Sequence, residues 1–87
     1  MALEFINPSR SFDEVRNAVR FMGHDGMFEV PFFVETAALA QRGQTQNSEA
    51  DFLTAFDSAR TSIHNVAREA YSHGRRTSYT LTAADFR

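Results

Sequence analysis

The three histidines, His24, His64 and His73, are the side chains of this 87-residue chain best suited to acid–base work or metal binding. Their spacing argues against a shared site. His64 and His73 are nine residues apart in a stretch of helical periodicity, and nine steps of about 100° put them on opposite faces. The i, i+4 pair of a helical zinc site is missing. His24 sits beside Asp25 in a glycine-flanked turn, where a histidine is expected to be solvated. The chain has no cysteine, which excludes disulfides, cysteine-based zinc sites and thiol nucleophiles. It has no Gly-x-Ser-x-Gly elbow. Gly23, Gly26, Gly43 and Gly74 are scattered as turns and caps rather than gathered in a phosphate loop. Glu14, Glu29 and Glu35 read as solvated surface. No catalytic residue, metal ligand or cofactor is assigned, and the chain reads as non-enzymatic.

A basic cluster is the group with the clearest chemical signature: Arg68, His73, Arg75 and Arg76, with Tyr79 just beyond. All nine basic residues are arginines. Cations complement the dipole at a helix C-terminus, which accounts for the cluster structurally. Read functionally, it is an anion or partner patch, since clustered positive charge attracts phosphate and a nearby aromatic can stack on a base. A net charge of −2 weighs against nucleic acid as the partner. A second candidate surface is apolar. Met22, Met27 and Phe33 fall on the outward side of a hairpin, where they either form a packing surface or lie under a short helix. Arg16 and Arg20 share that side and solubilise it.

These groups need elements to hold them. Ala2–Ile6 reads as a first strand, and Asn7-Pro8-Ser9-Arg10-Ser11 as a turn. Val15–Met22 and Met27–Val34 each alternate apolar and polar residues around Gly23-His24-Asp25-Gly26. An Asp-Gly pair between alternating segments is a strong hairpin signal. A turn centred on Asp25-Gly26 pairs Phe21 with Val30 and Val19 with Phe32, with the best apolar residues on one face. Pro31 then lies opposite Arg20 at a position asked to donate a ladder bond, so a bulge, a broken pair or a different loop is expected there. Glu35–Arg42 reads as a short helix ended by Gly43, followed by a polar linker over Gln44–Asn47.

A long helix follows from Ser48, an N-cap with Asp51 three residues on. Its apolar stripe runs through Phe52, Phe56, Ala59, Ile63, Val66, Ala67 and Ala70. It ends at His73 with Gly74 as C-cap. Thr77–Thr82 reads as a last strand. Ser48–His73 would measure roughly 39 Å as one helix, against a diameter of about 31 Å for a compact domain of this length. It must overhang, kink or be covered by a partner, which makes a homodimer the expected assembly.

Several of these segments together resemble a known family. Asn7-Pro8-Ser9-Arg10-Ser11-Phe12-Asp13, Ala18-Val19-Arg20-Phe21, Gly23-His24-Asp25, Glu29-Val30-Pro31-Phe32-Phe33-Val34 and Tyr79–Phe86 look like the bacterial domain of unknown function 1488. The resemblance spans nearly the whole chain. It implies a small α+β fold with an antiparallel sheet and helices packed on it. No activity comes with it, so it assigns no functional residues.

The whole chain sets the remaining bounds. Composition is globular, 43% hydrophobic, 23% charged and 13% aromatic, with nine phenylalanines. Residues 1–87 read as one α+β domain: a small antiparallel sheet, made of the hairpin with N- and C-terminal strands, packed against one short and one long helix. The start Met-Ala-Leu-Glu lacks the features of a signal peptide, and no apolar run approaches the ~18 residues of a membrane span. A cytoplasmic interaction or accessory module with an unknown protein partner or a second copy of itself is the resulting expectation. The alternative is a weak nucleic-acid or anion binder using the arginine cluster.

Overall fold

The computed structural model describes residues 3–6, 9–39, 48–74 and 76–86. Four strands form one sheet in the order β1 (Arg10–Asp13), β2 (Ala18–Asp25), β3 (Phe28–Glu35) and β4 (Tyr79–Leu81). Between β3 and β4 lie α1 (Thr36–Leu39), α2 (Glu49–Ser58) and α3 (Arg60–Ser72). A 3₁₀ turn, Ala83–Phe86, closes the described chain. The fold is α+β as the sequence implies, with one difference of orientation. β4 runs parallel to β3, so the sheet is mixed rather than strictly antiparallel. A parallel neighbour requires a crossover, and the helical stretch supplies it.

The hairpin forms with the expected faces but a shifted register. Asp25 opposes Phe28, Phe21 opposes Phe32 and Val19 opposes Val34. The loop is Gly26-Met27, one residue later than Asp25-Gly26. Gly26 has φ +64°, and among the described residues Asn17 is the one non-glycine with positive φ. Glycine at the first central position with an ordinary second residue is the type II′ solution rather than type I′. The pairing moves by two residues, so every side chain keeps its face.

The shift also places Pro31. Thr36 N–H bonds to the Asn17 carbonyl at 3.1 Å, so the hydrogen-bonded pairs of β2 and β3 fall at odd β2 positions. Met22↔Pro31 is therefore a non-hydrogen-bonded pair, and no bulge is needed. The nitrogen of Pro31 faces the β4 side instead, where it has no hydrogen to give. Pairing to β4 starts at Phe32↔Tyr79, and the missing donor explains why β4 begins at Tyr79 rather than at Thr77.

At the other end of β2 the chain departs from the sequence reading. Arg10–Asp13 is a strand, not part of a turn, and Glu14–Asn17 is the turn. Asp13 Oδ1 accepts from the N–H groups of Val15 and Arg16 at 3.0 and 3.1 Å, an Asx turn. Val15 is consequently solvent-exposed. The expected first strand reduces to one bridge, Glu4↔His24. Asn7 and Pro8 lie outside the described residues, as do Ala40–Asn47, the end of the short helix with Gly43 and the linker.

Ser48–His73 is not one helix. Ser48 caps α2, its Oγ accepting from Asp51 N–H at 3.1 Å. The helix breaks at Ala59, which sits at φ −106°, ψ 14°. The Ala59 N–H still bonds to the Ala55 and Phe56 carbonyls, so the break is a kink, one of the outcomes that the length requires. The molecule measures 38 × 24 × 22 Å. With the kink present, helix overhang no longer argues for a dimer. The apolar stripe nonetheless faces the sheet. Phe56, Ile63 and Ala67 are buried against Val19, Phe21, Phe32, Val34, Tyr79 and Leu81, while Phe52, Val66 and Ala70 pack beside them. Phe21 and Phe32 stack with centroids 5.3 Å apart, and Phe21 meets Phe56 at 5.1 Å. α3 ends at a His73 cap in the ordinary helical region, with Gly74 beyond it.

Candidate functional site

The basic cluster comes apart in three dimensions. Arg68 turns away from the α3 C-terminus. Its Nε donates to the Leu3 carbonyl at 3.3 Å and its guanidinium lies 5.1 Å from the Phe5 ring centroid. Tyr79 is buried, 5% exposed, so its ring cannot stack on a base. Its hydroxyl donates to the Gly74 carbonyl at 2.5 Å and accepts from Arg76 N–H at 3.0 Å, tying down the turn into β4. His73 lies at the surface within 3.6 Å of Glu69, one turn back. Arg75 is outside the described residues. His73, Arg76 and Tyr79 do share a shallow cleft of about 210 Å³ with Thr80 and Asp85. Among the described residues, this is the part of the expected patch that the fold brings together.

The histidines do not converge. His64 is packed on α3, its ring parallel to Phe5 at 4.0 Å and 5.8 Å from Phe21. Burial among these rings, reinforced by the positive charges of Arg60 and Arg68, lowers its pKa from 6.5 to about 4. His24 belongs to β2 rather than to a solvated turn. Its Nε2 is 3.8 Å from a Glu29 carboxylate oxygen and its Nδ1 is buried without a hydrogen-bond partner. Among the described residues no cluster of His, Cys, Asp or Glu could hold a metal ion. No described helix is long and apolar enough to cross a membrane.

The outward apolar surface also resolves into different parts. Phe33 is 7% exposed, and the Arg16 guanidinium lies 4.3 Å over its ring. Arg16 comes from the Glu14–Asn17 turn and covers a ring, rather than projecting from a strand into water. Met22 is half-buried. Met27 is 97% exposed and its neighbour Phe28 is 75% exposed. Phe28 is on the core face of the sheet, but at the hairpin tip, outside the core cluster.

Beside that tip lies a cleft of about 350 Å³, lined by Phe28, Glu29, Val30, Tyr71, Arg76 and Thr77. Tyr71 is fixed there by a hydrogen bond from its hydroxyl to Asp25 Oδ2 at 2.5 Å. The guanidinium of Arg76 forms no ion pair with the described residues. Arg76 lines both clefts, with cation on one side and aromatic surface on the other. The sequence reading named Arg76 but missed Phe28 and Tyr71. The signal was present: two large apolar residues directly follow the turn glycine.

The chain belongs to the family described as Protein of unknown function (DUF1488), whose model matches residues 3–82. No curated protein and no solved structure matches it.

Proposed function

We propose that this chain is a non-enzymatic protein-interaction module, and that the hairpin tip with its cleft is the docking surface. The exposure of Phe28 carries this reading. An aromatic ring left in water at the end of a sheet face gains nothing from folding, while Phe28, Val30 and Tyr71 together offer a partner an apolar seat. Arg76 adds the sign of the partner. A cation with no ion pair among the described residues, beside an aromatic wall, fits a peptide segment bearing one apolar side chain next to a carboxylate. We place the module in the cytoplasm as part of the same proposal.

The test is selection of a random-peptide display library on the wild-type chain. The retained peptides should carry an apolar residue beside Asp or Glu. They should bind Phe28→Ser and Arg76→Gln at least about tenfold more weakly, a loss of ~1.4 kcal/mol. Phe28 is exposed, so Phe28→Ser should melt at the wild-type temperature. Retained peptides that bind Phe28→Ser as tightly as the wild type would dispose of this surface.

A second reading, anion binding by His73 and Arg76, is favoured by their shared cleft. Nucleic acid as that anion requires salt-sensitive retention on DNA or RNA. With Tyr79 buried and Arg68 held by Leu3 and Phe5, little retention is expected even at low salt.

A further inference from the structure

The segment Leu3–Ile6 sits on the body of the protein as a ligand sits in a site. Leu3 is 6% exposed. Phe5 stacks on His64 with 9° between the planes and meets Phe21 and Phe32 at 5.9 and 6.0 Å. Glu4 and His24 exchange both backbone hydrogen bonds at 2.7 Å. The seat is shaped by a missing side chain. A Cβ on Gly23 would lie 2.9 Å from Leu3 Cδ1 and 3.1 Å from both Phe5 Cε1 and Phe32 Cε1. A glycine inside a strand is otherwise a weakness, and here it makes room for another piece of chain.

The register of this arm is unusual. Glu4 opposes His24 and Arg10 opposes Phe21. From Glu4 to Arg10 is six steps, whereas from His24 to Phe21 is three, so three residues are surplus between the arm and β1. The arm and β1 are thus two halves of one edge strand on β2, joined by more chain than the edge requires.

We propose that the Leu3–Ile6 arm exchanges between two copies of the chain, each arm filling the Gly23 seat of the other in a closed two-fold dimer. The partner offers the same Gly23 notch, the same His24 backbone and the same His64 and Arg68. Every arm contact therefore forms in trans as it does in cis, and the connection is three residues longer than the register needs. Exchange of an identical element is a low-cost route to a dimer, because no new surface has to be evolved for it. Concentration then decides between the closed monomer and the exchanged pair. The proposal is independent of the tip cleft, and its test leaves Phe28 and Arg76 unchanged.

The chain contains no cysteine, so thiols can be placed at will. Glu4→Cys and His24→Cys chains, each with one thiol, are mixed, concentrated, oxidised and run on a non-reducing denaturing gel. A covalent pair containing one of each, well above the product from either chain alone, is expected. The doubly substituted chain is the second measurement. If the arm exchanges, its disulfide becomes increasingly interchain as concentration rises. A bond that stays intrachain at every concentration, or a mixture no better than its single-chain controls, overturns the proposal.

Discussion

His64 is the residue whose chemistry the fold alters most. A ring stacked on Phe5 and flanked by Arg60 and Arg68 is costly to protonate, hence a pKa of about 4 instead of 6.5. In the unfolded chain the same ring takes up its proton near 6.5. Between these values the unfolded state binds more protons than the folded one, so stability rises with pH across the window and is lost as pH falls from 6.5 towards 4. The ring is part-exposed, and after allowance for solvent screening the loss should be about 1 kcal/mol. His64→Phe keeps an aromatic on Phe5 and removes the titration. Urea melts at pH 7 and pH 4.5 should show the wild type losing more stability than this variant; equal losses would mean that His64 titrates as an ordinary histidine. Asp57 gives a smaller effect of similar sign. Arg10 and then Arg60 hold its carboxyl below the usual range, with Arg10 bonding at 3.0 and 2.8 Å. Its contribution is present above the ordinary carboxylate pKa and is lost in acid. Because the group lies at the surface, Asp57→Asn should lower the melting temperature slightly, and high salt should erase the difference.

At the scale of elements, the turn of the hairpin determines which residues meet. Gly26 has φ +64°, and a Cβ added to it would meet nothing within 4 Å. Gly26→Ala therefore tests conformation alone and should cost about 1 kcal/mol, read as a lower urea midpoint with an unchanged slope. A neutral result would mean that the loop relaxes to another turn. The same hairpin shows how far the sequence could be read. Its faces were legible because alternation has a period of two, and any even shift preserves them. Its register was not, because Asp25-Gly26 and Gly26-Met27 both satisfy a two-residue loop. The direction of β4 has no local signature: Tyr79-Thr80-Leu81 alternates identically in either orientation. The kink at Ala59 occurs without proline or glycine, the residues that usually announce one. The candidate site was legible only in part for a related reason. Arg68 and Arg76 are close in sequence, but Arg68 is drawn to the Leu3–Ile6 arm, whose position on α3 depends on a distant glycine in β2.

At the scale of the molecule, the core cluster of the described residues lies on one side of the sheet, between it and the helices. A chain of 87 residues buries only roughly 60–65% of its unfolded surface, so its margin is thin. Phe56 is fully buried where α2 meets Phe21, just before the kink, and Arg60 lies 5.0 Å over its ring. Removing that ring leaves a cavity bounded by both helices and the central strands, and none of these can close in without giving up the others. Phe56→Ala should therefore cost about 3–5 kcal/mol. In a domain of this size each kcal/mol moves the melting temperature by about 4–8 °C, so a fall of more than about 12 °C is expected, as a single transition seen alike by far-ultraviolet dichroism and aromatic fluorescence. Two separate transitions would mean that the helical crossover and the sheet melt independently. Phe28→Ser is the counterpart, an equally apolar ring whose loss should leave the same transition in place, because its side chain lies beyond the core that the helices close.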